Sequence, residues 1–318
     1  MAGIGVGATL VGLLVASPGP VAASGPCGTL SYDPANPPVY RHVLIVMDEN
    51  VSYANLTKAG VAPYLKGLAT ACGSELNMHA ATHPSQPNYM AATSGVASPV
   101  GKHTDNDNIF RQLQGSGLTW RGYEETMPSS CAAYSSADPS YKTGHNPPFW
   151  YTDLRAPTNT CKIDAVPMSS AMDTAIAQDD LPAFAWVTPN LCDDMHWDAS
   201  CSYAQSSRIA HGDAWLSTFV PRITTLPSFA RGETLLVITW DEGNGGTHGV
   251  DCTDPAYYPT HPDCDIATIV VSPYITPGQT DSTDHNLYGL LGTVEDIYSL
   301  GRLGRAAGQS SLRPGLGF

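Results

Sequence analysis

Charged side chains are scarce in this chain. They make up 14% of its 318 residues, well below the ~25% that is usual in globular proteins. Basic residues are the rarer sign, with 15 Lys and Arg against 29 Asp and Glu, and the formal charge is −14. Binding to a phosphate backbone requires a basic face, which so few cations do not readily build. Nucleic acid is therefore excluded as the default partner.

Long apolar runs are also missing after the first residues. No segment beyond residue 23 approaches the ~18 uncharged apolar residues that a membrane span requires. Residues 4–23, IGVGATLVGLLVASPGPVAA, carry no charge and end in small residues, which predicts a secretory signal peptide cleaved after Ala23. The alternative is a membrane anchor, but the run is short and contains Pro18 and Pro20. We therefore expect an exported protein, free or associated with the cell envelope, without a stable membrane anchor.

No C-x-x-C pair occurs, which argues against a cysteine metal site. An even number of cysteines, eight, in an exported chain instead predicts disulfides. Cys192 with Cys201 and Cys252 with Cys264 enclose short loops, so we expect these pairs to form locally. Cys131 with Cys161 and Cys27 with Cys72 then remain, although spacing alone does not determine the connectivity.

Four apolar runs, at 42–47, 182–188, 234–240 and 266–272, read as continuously buried strands. Helical patterns lie between and around them, at 62–71, 87–93, 107–114, 206–219 and 286–300. This alternation predicts an α/β fold, a three-layer sandwich with a mostly parallel central sheet. We expect one domain over residues 24–318, with the loop-rich segment 123–166 as an insertion that shapes a site.

Polar residues follow three of the predicted strands. They are Asp48, Glu49 and Asn50 after the first, Asn190, Asp193, Asp194 and His196 after the second, and Asp241 and Glu242 after the third. Ligands bind at the carboxyl ends of strands in open parallel sheets. For a single pair, helix capping would be the better interpretation, but three acidic clusters at one edge would repel one another without a cation. The pattern predicts a metal site.

Ser85 and several histidines complete the candidate site. Pro87 suits the first turn of a helix, so we expect Ser85 just before a helix N-terminus, where free N–H groups attract an anion. A hydroxyl there can be a nucleophile toward phosphate, although a serine before a helix is more often a plain cap. His83, His145, His196 and His285 lie in polar settings.

Seven ordered segments resemble one family: HVLIVMDEN, THPSQPNYMAATSG, GHNPPFW, PNLCDDMH, HGDAWL, TWDEG and DHNLYGLLGTVEDIY. The chain is similar to the secreted bacterial phosphoesterases, which comprise acid phosphatases and non-specific phospholipases C within the alkaline phosphatase superfamily. Its segments look most like those of the small secreted acid phosphatases known as phosphatidylinositol-3-phosphatases. The resemblance runs from about residue 42 to residue 300 and implies an alkaline-phosphatase-like fold.

The resemblance also implies roles for individual residues. Ser85 would be the nucleophile, His196 or His145 the proton donor, and Asn50, His83, Asn88 and His285 substrate-binding residues. The metal ligands would be Glu49, Asn50, Asp241, Glu242 and, at a second position, Asp194. Many superfamily members carry Asp-His where this chain has Asp241-Glu242, and Asp is common where it has Glu49. An oxygen-rich set of this kind favours Mg²⁺, Ca²⁺ or Mn²⁺ over a pair of Zn²⁺ ions.

The predicted function is that of a secreted, metal-dependent acid phosphatase acting on phosphomonoesters, with phosphatidylinositol 3-phosphate among the candidate substrates. The predicted course is attack by Ser85, a phosphoserine intermediate and hydrolysis by water. A phospholipase C type diesterase is one alternative. The other is a secreted cation-binding protein without activity.

Overall fold

The computed structural model describes residues 1–3, 25–134 and 138–318. Apart from its first three residues, the predicted signal peptide lies outside this part of the chain. The strands are β1 His42–Asp48, β2 Gly73–His79, β3 Trp120–Glu124, β4 Ala165–Pro167, β5 Phe184–Thr188, β6 Thr234–Trp240, β7 Asp265–Val271, β8 Gln279–Asp281 and β9 His285–Asn286. The helices are α1 Tyr53–Leu56, α2 Pro63–Ala71, α3 Ser85–Ser94, α4 Ile109–Gly115, α5 Pro147–Trp150, α6 Thr160–Asp164, α7 Met168–Gln178, α8 Arg208–Thr224, α9 Pro227–Ala230, α10 Leu287–Ile297 and α11 Arg313–Leu316.

The centre of the sheet consists of the four predicted strands. They lie side by side in the order β5-β1-β6-β7, and β1 pairs in parallel with both β5 and β6. Every residue of β1, β5 and β6 is buried, as expected of strands covered on both faces. The predicted mostly parallel sheet is confirmed, with β7 as its antiparallel member, paired to β6 and β2.

The outer strands complete the order β4-β3-β5-β1-β6-β7-β2-β8, and β9 also pairs with β2. The apolar runs did not predict these outer strands, because β2 reads GSELNMH and β8 and β9 are only three and two residues long. The edge strands β4 and β8 have only three residues each, and short edge strands discourage pairing with another chain.

Helices flank the sheet as predicted. In α8 the buried Leu216, Phe219, Val220 and Ile223 follow the spacing of a single helix face, and α8 contacts α2. The helix α3 is buried along nearly its whole length and contacts α4, α5 and α10. This burial fixes the position of Ser85 at the start of α3.

Four disulfides join Cys27 to Cys72, Cys131 to Cys161, Cys192 to Cys201, and Cys252 to Cys264. These are the expected pairs, and they fit a protein of an oxidising compartment. The pair Cys192–Cys201 closes the loop that follows β5. Within the described residues, no helix is both long enough and apolar enough to span a bilayer.

Candidate active site

Acidic side chains meet at one edge of the sheet because β1, β5 and β6 are parallel and end there together. Glu49, Asp194 and Asp241 are fully buried, and Glu242 nearly so. The backbone joins the three strand ends, since Glu49 N donates to Asp194 O at 2.7 Å and Asp241 N donates to Asp48 O at 3.0 Å. The predicted clustering of carboxylates at this edge is therefore confirmed.

Three carboxyl groups of this cluster are costly to ionise. Burial raises the pKa of Glu49, Asp194 and Asp241 well above the usual range, and the negative charges of their neighbours add to the effect. Among the described residues, Oδ2 of Asp194 and Oδ2 of Asp241 have no hydrogen-bond partner. Buried acids without donors hold protons or surround a cation.

Ser85 lies between two of these carboxylates. Its Oγ is 3.2 Å from Glu49 Oε2 and 3.2 Å from Glu242 Oε1, so the hydroxyl can donate to either. The helix begins at Ser85, two residues earlier than the predicted start at Pro87, and its N-cap residue is Pro84. The expectation that Ser85 precedes the helix is therefore corrected, and the capping interpretation fails because the hydroxyl is directed to the carboxylates.

Asn50 is fixed beside Ser85 by contacts from three sides. Its backbone N donates to Asp241 Oδ1 at 3.1 Å, and its Nδ2 donates to Glu49 Oε2 at 2.5 Å. Arg208 donates to its carbonyl oxygen at 2.9 Å. The φ of Asn50 is +50°, in the left-handed region that Asn tolerates better than most residues. These contacts leave Nδ2 of Asn50 at 3.5 Å from Ser85 Oγ.

His145 reaches the cluster from the segment 123–166, which shapes the site as predicted. The imidazole is buried, with Nε2 3.1 Å from Glu49 Oε1 and Nδ1 3.7 Å from Asp194 Oδ2. Burial lowers its pKa well below the usual value, and the nearby His196 adds to this effect. His145 thus lies between Glu49 and Asp194, and only Glu49 is within hydrogen-bond distance.

His196 is half-buried next to His145, with 6.2 Å between the ring centroids. Its backbone N donates to Asp194 Oδ1 at 2.7 Å. Nδ1 lies 2.9 Å from the carbonyl oxygen of Trp197, which can only accept, so Nδ1 carries a proton in this contact. Burial lowers the pKa of His196. Nε2 is the nitrogen left to exchange a proton.

His83 and Asn88 both contact Glu242. The imidazole of His83 lies 2.8 Å from Glu242 Oε2 and 3.1 Å from Asp263 Oδ2. Burial alone would lower the pKa of His83, but these two carboxylates raise it. Asn88 accepts from Ala81 N and Thr82 N, at 2.9 Å each, and donates to Glu242 Oε2 at 3.3 Å. Both residues thus hold Glu242 in position, and their role in substrate binding stays a prediction.

The structure does not bring His285 to this cluster. Its Nε2 lies 3.3 Å from Asp281 Oδ2 and 3.9 Å from Glu75 Oε2, and these residues belong to the outer strands. The prediction that His285 lines the phosphate site is therefore corrected. Its sequence position, directly before α10, resembles that of a ligand at the end of a strand, but β9 pairs with β2 at the outer part of the sheet.

Tyr89 is a site residue that the sequence did not single out. Its hydroxyl donates to Glu49 Oε1 at 2.7 Å, and its ring stacks on His145 with 5.0 Å between centroids. The available signal was its spacing from Ser85, because residues four apart on a helix share a face.

The residues present fit a divalent cation in their donor chemistry. Carboxylate and amide oxygens are the ligands of hard cations, and two oxygens here lack any donor. Among the described residues, two groups of three side chains (His, Cys, Asp or Glu) each bring their ligand atoms within 4.8 Å of one another. Neither group includes Glu49, Asp241 or Glu242. Asn50 and Ser85 lie between these carboxylates. A cation bound there would therefore have amide and hydroxyl oxygens as ligands in addition to carboxylate oxygens.

Comparison with protein families decides the assignment. The model of the Phosphoesterase family matches residues 58–301, a range that includes Ser85, His145, Asp194 and Asp241. The chain belongs to the Phosphoesterase family. The resemblance found in the motifs is thereby confirmed, as is the prediction of a phosphate-ester hydrolase at the level of the family.

Two curated relatives of this phosphoesterase carry specific names. A phosphatidylinositol-3-phosphatase from Mycobacterium tuberculosis is 30% identical over 276 residues, which cover 85% of this chain and 80% of that protein. An acid phosphatase from Aspergillus fumigatus is 24% identical over 271 residues, 81% of this chain and 54% of that protein. The phosphoesterase thus spans about half the length of the fungal enzyme.

The fold has counterparts among solved structures. A protein of the alkaline phosphatase superfamily from Vibrio parahaemolyticus superposes with a TM-score of 0.57 at 13% identity, over 91% of this chain and 77% of the other. At this identity the likeness concerns the fold, and it confirms the expected alkaline-phosphatase-like sandwich.

Proposed function

We propose that this phosphoesterase is a secreted, metal-dependent phosphomonoesterase that acts through a phosphoserine at Ser85. The observation that carries the proposal is the placement of Ser85 Oγ, 3.2 Å from a carboxylate on each side, at the first residue of a buried ten-residue helix. A nucleophilic hydroxyl needs an adjacent base and a site for the anionic phosphoryl group. The carboxylates and the helix N-terminus supply these two requirements.

Glu49, Asn50, Asp241 and Glu242 would hold a divalent cation, with Asp194 as a further ligand. Mg²⁺, Ca²⁺, Mn²⁺ and Zn²⁺ are the candidates, and the oxygen donors favour the first three. When bound, such a cation supplies Lewis acidity toward the phosphate oxygens and a lower pKa for a nearby hydroxyl.

The residues of the chain account for the covalent steps. Ser85 Oγ attacks phosphorus while its proton passes to one of the two flanking carboxylates, the bond from phosphorus to the leaving oxygen breaks, and a phosphoserine forms. Asn50 Nδ2 and the first turn of α3 hold phosphoryl oxygens. His196 donates the proton on Nε2 to the leaving alkoxide when its imidazole is doubly protonated, and is left neutral with its proton on Nδ1. Water then cleaves the phosphoserine, which yields phosphate and restores the Ser85 hydroxyl.

The relatives support a monoester substrate, since both are named as phosphatases. The Mycobacterium tuberculosis relative suggests phosphatidylinositol 3-phosphate as the lipid to test first. The signal-peptide pattern and the four disulfides support secretion.

Two assays test this function. We expect phosphate release from p-nitrophenyl phosphate and from phosphatidylinositol 3-phosphate, and no phosphocholine release from phosphatidylcholine. Faster release of phosphocholine would make the protein a diesterase instead. Release from none of these substrates, with a divalent cation present, would favour a cation-binding protein without activity.

A further inference from the structure

A second group of ligand side chains lies at the outer part of the sheet. It consists of Glu75 in β2, Asp281 at the end of β8 and His285 at the start of β9. Both β8 and β9 pair in parallel with β2, and Glu75 is the direct register partner of Asp281. Like charges directly opposite each other on neighbouring strands destabilise a sheet. His285 hydrogen-bonds Asp281, whereas no donor within the described residues reaches Glu75.

The three side chains converge on one point. One ligand atom from each lies within 4.8 Å of the others, and His285 Nε2 is 3.3 Å from Asp281 Oδ2 and 3.9 Å from Glu75 Oε2. For bonds of ~2.0–2.1 Å, tetrahedral ligands lie roughly 3.4 Å apart. The separations observed suit a single small cation between the three groups.

Glu75 is the second, independent indication of a ligand. Its side chain has no exposed surface, and neither carboxylate oxygen has a hydrogen-bond partner within the described residues. Buried carboxylates usually have donors, and the absence of one here leaves a proton or a metal ion as its partner.

We propose that Glu75, Asp281 and His285 form a second divalent-cation site, structural in role and suited to Zn²⁺ or Mn²⁺. One imidazole and two carboxylates are a ligand set that these cations accept. The bound cation joins β8 and β9 to β2 and so secures the start of α10. This site shares no residue with the cluster around Ser85, so the proposal stands or falls apart from the proposed function.

The experiment counts zinc in a protein whose first site has been disabled. In the Asp241→Asn/Glu242→Gln background, isothermal titration and elemental analysis should find one bound Zn²⁺, and added Zn²⁺ should raise the melting temperature. We expect each of three substitutions, added singly to this background, to abolish the bound Zn²⁺ and the rise in melting temperature. They are Glu75→Gln, Asp281→Asn and His285→Gln. Glu75→Gln and Asp281→Asn change little in shape, which guards against loss of folding. The matched control is His103→Gln, because His103 is exposed and outside the group.

Two outcomes would overturn the proposal. One is a background protein that binds neither Zn²⁺ nor Mn²⁺, which would show that a proton alone balances the group. The other is a bound equivalent that survives all three substitutions. Neither outcome affects phosphate release by the unmodified enzyme, so a failure here is distinguishable from a failure of the proposed function.

Discussion

Tyr89 donates its hydroxyl hydrogen to Glu49 Oε1 at 2.7 Å from a position one helical turn after Ser85. The same carboxylate offers its other oxygen, Oε2, to Ser85 at 3.2 Å. Glu49 is thus held by the helix that carries the nucleophile. The contact aligns a strand end and a helix N-terminus, the two elements that make up the site.

Tyr89→Phe removes this hydrogen bond and keeps the ring. We expect kcat/KM with p-nitrophenyl phosphate to fall by roughly 10–100-fold, since groups that orient a ligand commonly have effects of this size. The matched control is Tyr151→Phe. It removes a buried hydroxyl that is hydrogen-bonded to Thr93, a residue of the helix that also carries Tyr89. Equal losses in the two variants would show that Tyr89 acts only through helix stability.

Asp241→Asn should abolish both activity and one equivalent of bound divalent metal, because it removes a buried anionic ligand with little change in shape. Elemental analysis of the purified variant beside the unmodified enzyme provides the measurement. Asp173→Asn, at an exposed residue paired with Arg222, should change neither quantity. Full metal content in an inactive Asp241→Asn protein would remove Asp241 from the ligand set.

We expect loss of the Cys192–Cys201 disulfide to affect mainly activity and loss of the Cys27–Cys72 disulfide to affect mainly stability. The Cys192–Cys201 loop carries Asp194 and His196 and spans only nine residues, whereas Cys27 and Cys72 are 45 apart. Loop-closure entropy predicts losses of about 3 and about 4 kcal/mol respectively on replacement of each pair by alanine. Activity should show the opposite order, with the larger fall for Cys192→Ala/Cys201→Ala. Denaturant titration and kcat/KM at a temperature where both proteins are folded would measure these effects, and the same order in both would contradict this account.

Glu295 makes stability depend on pH. Burial raises its pKa to about 8, so between its ordinary value and pH 8 the folded state binds a proton that the unfolded state has lost. The free energy of unfolding therefore decreases as the pH rises through this range. Glu295→Gln keeps an oxygen acceptor for the backbone N of Leu303, which donates to Oε1 at 2.8 Å.

We compare the free energy of unfolding of Glu295→Gln with that of the unmodified protein at each pH. We expect the difference, variant minus unmodified protein, to be about 1–3 kcal/mol larger at pH 9 than at pH 5. Denaturant unfolding of both proteins at the two pH values gives the comparison. A constant difference between them would show that Glu295 does not titrate in this range.

The sequence was most informative where burial is continuous. The apolar runs predicted β1, β5, β6 and β7, because strands covered on both faces have no polar positions. The strand β2 was missed since its GSELNMH segment includes an exposed Leu76 and a buried Glu75, the reverse of what hydropathy indicates.

The same reasoning explains the success and the error in the site. Glu49, Asp194 and Asp241 follow parallel strands, so the topology brings them together. His285 precedes a helix in a comparable way, but its strand is the neighbour of β2, and pairing between distant segments cannot be read from local pattern. Tyr89 lies within a helix and was hidden among core residues.

The most direct test of the central claim is to trap the covalent intermediate. The enzyme is mixed with excess p-nitrophenyl phosphate, quenched in acid within the first turnovers, digested and analysed by mass spectrometry. The account predicts one phosphoryl group on Ser85, and no labelling or turnover in a folded Ser85→Ala variant. Phosphate on a different residue, or turnover at the unmodified rate by Ser85→Ala, would contradict it.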